Sequence, residues 1–121
     1  MNSAADQAPL IFDVNEPEFA EQVLEASKIC PVMVDFWADW CPPCSALTPV
    51  LERVAKAYDG AFRLAKVEVD EGDNMRLAGR YGLRGFPTVI LFRDGEEVGR
   101  FNSARPDGWV SDFLNERLGI K

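Results

Sequence analysis

Two cysteines separated by two residues carry the clearest chemical signal in the sequence. They are Cys41 and Cys44, in a Trp-Cys-Pro-Pro-Cys run that begins at Trp40. Thiols at this spacing can form a disulfide across one helical turn, so the pair indicates dithiol–disulfide redox chemistry. The same spacing also forms half of a four-ligand zinc site. Because the sequence has no histidine and Cys30 is its only further cysteine, we predict no metal site.

The two cysteines are expected to have different roles, since a strand-like segment precedes them and a helical one follows. Cys41 then lies at or just before the first helical turn, where free N–H groups and the helix dipole stabilise a thiolate. We therefore predict that Cys41 is the nucleophile. Cys44, one turn further on, is the predicted resolving thiol. Pro42 and Pro43 stiffen this loop and remove two N–H donors, and we hypothesise that they tune the reduction potential.

One acidic residue, Asp35, interrupts the apolar run of residues 31–37. Burial of an unpaired carboxylate is costly and raises its pKa. Asp35 lies six residues before Cys41, so we expect it to face the underside of the cysteine pair and to exchange a proton with Cys44. Lys66, in the next predicted strand, is the expected partner that satisfies it.

Alternating strands and helices must position these residues. The predicted strands span residues 10–14, 31–37, 62–69, 88–92 and 97–101. The predicted helices span residues 15–24, 47–58, 74–81 and 106–118, and Pro49 is expected to kink the second. Asp94-Gly95 between the last two strands predicts a β-hairpin. This order predicts an α/β fold whose early strands are parallel and whose last two are antiparallel.

Length, charge and cysteine count limit the function classes. The 121 residues, 47% of them hydrophobic, predict one domain over residues 10–121. The small and polar residues 1–9 predict a loose tail. A net charge of −7 argues against a nucleic-acid partner. The sequence contains no apolar stretch long enough for a membrane span, no signal-peptide pattern, and too few cysteines for a secreted disulfide scaffold. We expect a cytoplasmic monomer.

Several segments together resemble the thioredoxin family. The run from Val34 to Cys44 is similar to the family's active-site signature, and Pro49 occupies the position of its helix-kinking proline. Ala65-Lys66 with Asp70 resembles the third strand, and the segment from Tyr81 to Thr88 resembles the one that carries a cis-proline. The resemblance covers residues 11–118. It implies the thioredoxin fold, a mixed sheet of four or five strands with helices on both faces.

The resemblance also implies an activity, thiol–disulfide oxidoreduction that reduces protein disulfides through a reversible Cys41–Cys44 disulfide and maintains redox homeostasis. Asp35 would be the buried acid, Lys66 its partner, and Pro87 the cis-proline; the spacing alone left Pro87 open between a cis bond and an ordinary turn. The implied substrate-binding residues are Trp40, Pro42, Pro43, Phe86, Pro87 and Ser103. The implied partners are disulfide-containing client proteins and a thioredoxin reductase, with no cofactor.

Three positions depart from the family's pattern and concern substrate range more than chemistry. Pro42 replaces the usual glycine, Ser45 replaces a common basic residue, and Ser103 replaces a groove glycine. Two alternatives stay open. One is a thioredoxin-like holdase domain of a chaperone, which residues 47–52, 64–66 and 82–84 also resemble; the other is a redox domain dedicated to one client. Cys30 is expected to have no role.

Overall fold

The computed structural model describes residues 9–120. Its five strands are β1 (Ile11–Asp13), β2 (Val32–Trp37), β3 (Arg63–Glu68), β4 (Thr88–Arg93) and β5 (Glu96–Asn102). Its helices are α1, which runs through an α-helical turn (Glu16–Phe19), a π-helix (Ala20–Glu25) and a 3₁₀ turn (Ala26–Lys28), then α2 (Pro42–Ala57), α3 (Asn74–Arg80) and α4 (Asp107–Leu118). The predicted order of elements is confirmed. The predicted tail lies, apart from Pro9, outside the described residues.

The strands form one mixed sheet in the order β1-β3-β2-β4-β5. The first three strands of this order are parallel, whereas β4 is antiparallel to both β2 and β5. β2 is central and its first five residues are buried, which explains why its sequence is a continuous apolar run. The predicted hairpin is confirmed: Asp94 and Gly95 join β4 to β5, and both adopt the positive φ that this tight turn requires.

Alternating side chains of β2 divide the core into two layers. Val34 and Phe36 belong to the layer that also contains side chains of α1 and α3. Met33 belongs to the layer that contains side chains of α2 and α4. Two residues after Met33, Asp35 faces this second layer and is fully buried. The fold therefore places the carboxylate between the sheet and α2.

The ends of β2, β3 and β5 and the start of β4 lie at the same end of the sheet, which we call the upper edge. Trp37 at the end of β2 pairs with Glu68 at the end of β3. On the other side, Phe36 pairs with Thr88 at the start of β4, and Thr88 pairs with Asn102 at the end of β5. The loops that follow β2, β3 and β5 and precede β4 consequently meet there. In the part of the chain that the structure describes, no helix is long and apolar enough to cross a bilayer.

Candidate active site

Cys41 and Cys44 form a disulfide at the upper edge, where the loop after β2 enters α2. Their Cα atoms are 5.3 Å apart. Cys41 has extended backbone and is the N-cap of α2, and Pro42 and Pro43 are its first two residues. Proline suits these positions because the first N–H groups of a helix have no intrahelical partner. Both cysteines are buried, although the two prolines between them are exposed.

The backbone at the start of α2 favours negative charge on Cys41. The N–H of Cys44 lies 3.3 Å from the Sγ of Cys41 and donates to it. Since Pro42 and Pro43 have no N–H, the donor on Cys44 is the first one that the helix offers. The positive end of the helix dipole acts in the same direction. The geometry therefore stabilises a thiolate on Cys41, the sulfur that we predicted to be the nucleophile.

Phe86 and Pro87 approach this sulfur from the loop before β4. The peptide bond between them is cis, as the resemblance implies. The carbonyl oxygen of Phe86 lies 3.4 Å from the Sγ of Cys41. Thr88 fixes the loop because its hydroxyl donates to the carbonyl oxygen of Gly85 at 2.7 Å. Pro87 is buried, so its loop forms a wall beside the disulfide.

Trp40 and Ser103 lie on either side of this loop. Trp40 is 62% exposed; its indole N–H donates to Asp70 at 2.7 Å, and its ring meets the ring of Phe86 edge-on with centroids 6.0 Å apart. The N–H of Ser103 donates to the carbonyl oxygen of Pro87 at 3.3 Å. Ser103 has φ of +74°, a left-handed conformation that favours glycine, which is the residue that the family pattern leads us to expect there. The structure thus brings together the six residues predicted to bind substrate.

Asp35 lies beneath α2 and accepts one hydrogen bond. The hydroxyl of Thr48 donates to its Oδ2 at 2.9 Å, and its Oδ1 has no hydrogen-bond partner among the described residues. Burial raises the pKa of Asp35 to about 6; the Thr48 hydrogen bond and the charge of Lys66 partly oppose this, and the carboxylate of Glu52 adds to it. Thr48 is four residues after Cys44, on the same face of α2. Asp35 therefore faces the helix surface that carries Cys44, the predicted resolving thiol.

The predicted direct pairing of Lys66 with Asp35 needs correction. Lys66 is next to Asp35 in the β2–β3 register, but its ammonium group forms an ion pair with Glu52 at 3.0 Å. Lys66 is partly exposed and reaches towards α2 and solvent, so it affects Asp35 through its charge rather than through a hydrogen bond. Sequence reasoning missed Thr48 and Glu52. Thr48 follows Cys44 by four residues and Glu52 follows Thr48 by four, and this helical spacing was the signal that could have found them.

Acidic side chains gather on the β3 side of the disulfide. Asp70, which holds Trp40, follows β3, and Glu68 is near the carboxylates of both Asp39 and Asp70. Partial burial and these neighbouring carboxylates, Asp39 foremost, raise the pKa of Glu68. Among the described residues, no group of three or more histidine, cysteine, aspartate or glutamate side chains is arranged to hold a metal ion. The neighbouring carboxylates concentrate negative charge on this side of the disulfide.

Comparison with known proteins decides the family. The family model described as thioredoxin matches residues 10–116, which include every element of the fold except the last residues of α4. The chain belongs to the thioredoxin family. It is accordingly a thiol–disulfide oxidoreductase and protein-disulfide reductase whose redox-active pair is Cys41 and Cys44.

Individual thioredoxins are similar over most of their length. The thioredoxin of Pseudomonas aeruginosa is 44% identical over 108 residues, which cover 89% of this chain and 96% of that protein. The thioredoxin of Chlorobaculum thiosulfatiphilum is 37% identical with the same coverage of both chains. A chloroplastic M-type thioredoxin of Spinacia oleracea is 36% identical over 95% of this chain and 61% of its own length. The thioredoxin fold that the motifs implied is confirmed.

The hydrogen bond from Thr48 leads to a first prediction. Replacing Thr48 by valine keeps the shape of the side chain but removes the donor that favours the ionised form of Asp35. We expect the pKa of Asp35 to rise above its value of about 6 in this thioredoxin. Titration of the labelled carboxyl carbon by NMR measures it. Thr48→Ser retains the hydroxyl and is the matched control, and equal pKa values in all three proteins would contradict the assigned bond.

Proposed function

We propose that this thioredoxin reduces disulfides of client proteins with electrons supplied by a thioredoxin reductase. The observation that carries this proposal is the position of the Cys41–Cys44 disulfide, at the upper edge next to the exposed Pro42 and Pro43 and beside cis-Pro87. The surrounding Trp40, Pro42 and Pro43 are exposed, so a client segment can reach them. The family supports a reductase as electron donor.

The reaction that we propose has two exchanges and transfers two electrons. The thiolate of Cys41 attacks one sulfur of the client disulfide, which forms a mixed disulfide and releases the other client sulfur as a thiolate. Cys44 then loses its proton and attacks the Sγ of Cys41. This second exchange closes the Cys41–Cys44 disulfide and releases the second client thiolate. The client gains two electrons and, after protonation, two thiols; the reductase returns the protein to its dithiol form.

The second exchange needs a proton acceptor, and we assign that role to Asp35. Support comes from its burial under the α2 face that carries Cys44 and Thr48, from the Oδ1 that makes no hydrogen bond with a described residue, and from a pKa of about 6. An acceptor with a pKa close to working pH exchanges protons efficiently. Lys66 and Glu52 set the charge around it.

Binding of the client backbone is assigned to the loop that carries cis-Pro87. An extended segment laid across the upper edge would pass Trp40 on one side and Ser103 on the other, with Phe86 and Pro87 beneath it. Peptide groups of the client would then pair with backbone groups of this loop. The exposed faces of Trp40, Pro42 and Pro43 supply the apolar contacts.

The compartment and oligomeric state proposed here are a reducing cytoplasm and a monomer. Cys30 forms no disulfide in the structure, which supports a reducing environment, where such a thiol stays reduced. A holdase function and a single dedicated client stay predictions from the sequence. Binding of unfolded proteins by a variant that lacks both active-site cysteines would show a holdase function separately from reduction.

The electron donor is tested by a coupled assay. With NADPH, a bacterial thioredoxin reductase and insulin as the client, we expect NADPH oxidation that depends on both proteins and on the insulin disulfides. Loss of absorbance by NADPH measures it. The control replaces reductase and NADPH by dithiothreitol. If dithiothreitol supports insulin reduction while the thioredoxin reductase does not, the assigned electron donor is wrong. The ability of this protein to reduce client disulfides then still stands.

A further inference from the structure

The upper edge carries opposite charges at its two ends. Strand order along it is β3, β2, β4, β5, so residues that follow β3 and β5 lie on opposite sides of the disulfide. Asp70 and the neighbouring carboxylates occupy the β3 side. Arg105 lies in the loop that follows β5. Strands are about 4.8 Å apart, so about 14 Å separates these two ends.

Arg105 is held in place without a carboxylate. Its guanidinium carbon lies 4.5 Å from the ring centroid of Trp109, and its Nε–H donates to the carbonyl oxygen of Asn102 at 3.2 Å. No carboxylate of the described residues lies within ion-pair distance of it. A guanidinium carries five N–H donors in a planar fork, so donors remain for an external acceptor.

Aromatic packing fixes the support on which Arg105 rests. Trp109 is 37% exposed, and its ring is parallel to that of Phe113, with centroids 5.9 Å apart. Phe101 of β5 contacts Trp109 edge-on at 4.9 Å. Arg105 and Trp109 also line a cavity of about 480 Å³ between β5 and α4. A cation on a rigid aromatic face loses little conformational freedom when it binds an anion.

A short series of contacts leads from the disulfide towards Arg105. Phe86 touches the Sγ of Cys41, and Pro87 accepts a hydrogen bond from the N–H of Ser103. Arg105 is two residues beyond Ser103, and two residues span at most about 7 Å. Two strand spacings of about 4.8 Å separate β2 from β5, so the path from the disulfide to Arg105 is about 10 to 17 Å long, which about three to five extended client residues at about 3.4 Å each would cover.

We propose that Arg105, supported by Trp109, selects clients with a carboxylate about three to five residues from the reacting cysteine. The proposal rests on the proposed function and adds a substrate class to it. A glutamate or aspartate on the β5 side would accept charge-assisted hydrogen bonds from the guanidinium. The same residue on the β3 side would meet the cluster around Asp70 and be repelled. The client's acidic residue must therefore lie on one side of its cysteine.

Three disulfide-linked cysteine peptides of equal length test this selection. Two carry glutamate four residues before or four residues after the cysteine, and the third carries glutamine at both positions. One of the two glutamate peptides places its carboxylate on the β5 side, near Arg105. For the wild-type protein we expect kcat/KM for that peptide to exceed kcat/KM for the glutamine peptide about fivefold, as one favourable ion pair gives. Arg105→Gln should remove this preference, and Arg105→Glu should turn it into discrimination against the same peptide.

Matched variants separate recognition from damage to the protein. Lys56→Gln removes one positive charge at the far end of α2 and should retain the full preference. Arg105→Gln should reduce the glutamine peptide as fast as wild type, which shows that the chemistry is intact. If Arg105→Gln retains the preference, or wild type shows none while still reducing the glutamine peptide, the selection is refuted and the reductase function is not. Failure of wild type on every peptide would instead reject the proposed function.

Discussion

Replacing Cys41 by serine is expected to lower the rate of insulin reduction to that of dithiothreitol alone. The serine hydroxyl is not ionised near neutral pH and cannot take the place of the thiolate as the attacking group. The fold should survive, because Cys41 is the N-cap of α2 and serine is a preferred N-cap residue. Turbidity of the precipitating insulin chains measures the rate, and circular dichroism checks the fold.

Two further cysteine variants assign the separate roles. Cys44→Ser should still attack a client and should then accumulate the mixed disulfide, detectable by mass, because nothing resolves it. Cys30→Ser should reduce insulin as fast as wild type, since Cys30 precedes β2 whereas the pair follows it, and its thiol contacts the carbonyl oxygen of Gly60 at 3.5 Å. An active Cys41→Ser protein, or a mixed disulfide formed by Cys41→Ser rather than by Cys44→Ser, would contradict the assignment.

Local sequence signals explain why much of the fold could be predicted. The Asp94-Gly95 turn, the apolar run of β2 and the helical spacing of α2 each depend on residues close together in the chain. The disulfide spans only three positions, and its geometry follows from one helical turn. The cis bond before Pro87 was different, because spacing left it open and only the resemblance to a family implied it.

The contacts around Asp35 could not be derived with the same certainty, because they join residues of different elements. The β2–β3 register places Lys66 beside Asp35, yet the ammonium group turns to Glu52 of α2. A long, flexible side chain binds the acceptor that remains partly hydrated, whereas the short hydroxyl of Thr48 reaches the fully buried oxygen. Which of two nearby partners a lysine selects depends on burial, and burial is fixed only in the folded structure.

Arg105 illustrates a second limit. Its sequence neighbours are Ala104 and Pro106, which gave no signal for a binding residue. Its role arises because α4 brings Trp109 under the guanidinium and because β5 ends beside the cis-proline loop. Both are results of sheet topology. The charge difference between the two ends of the upper edge likewise appears only after the strand order has been established.

Replacing Asp35 by asparagine is expected to slow the second exchange and to remove the rise in its rate near pH 6. In wild type the carboxylate becomes available as its proton leaves near pH 6, so the rate of resolution should rise through that pH. Asparagine accepts no proton, and the loss of a general base typically slows a reaction 10²-fold or more. Stopped-flow release of a chromophoric thiol from the preformed mixed disulfide measures the step. A wild-type profile in Asp35→Asn would leave Asp35 without a role in proton transfer.

Stability should change in the opposite direction to rate. Burial raises the pKa of Asp35 from 3.8 to about 6, so the folded state binds the proton more tightly than the unfolded state does. The contribution of Asp35 to wild-type stability should therefore fall as pH rises from about 4 to about 6, by about 3 kcal/mol at most. Asp35→Asn lacks this ionisation, so it should be more stable than wild type at pH 7 and lose that advantage near pH 4. Urea unfolding at both pH values tests this.

Slower resolution together with greater stability at pH 7 would show that Asp35 is retained for proton transfer. A residue kept for structure alone would not destabilise the fold at the pH where it is ionised.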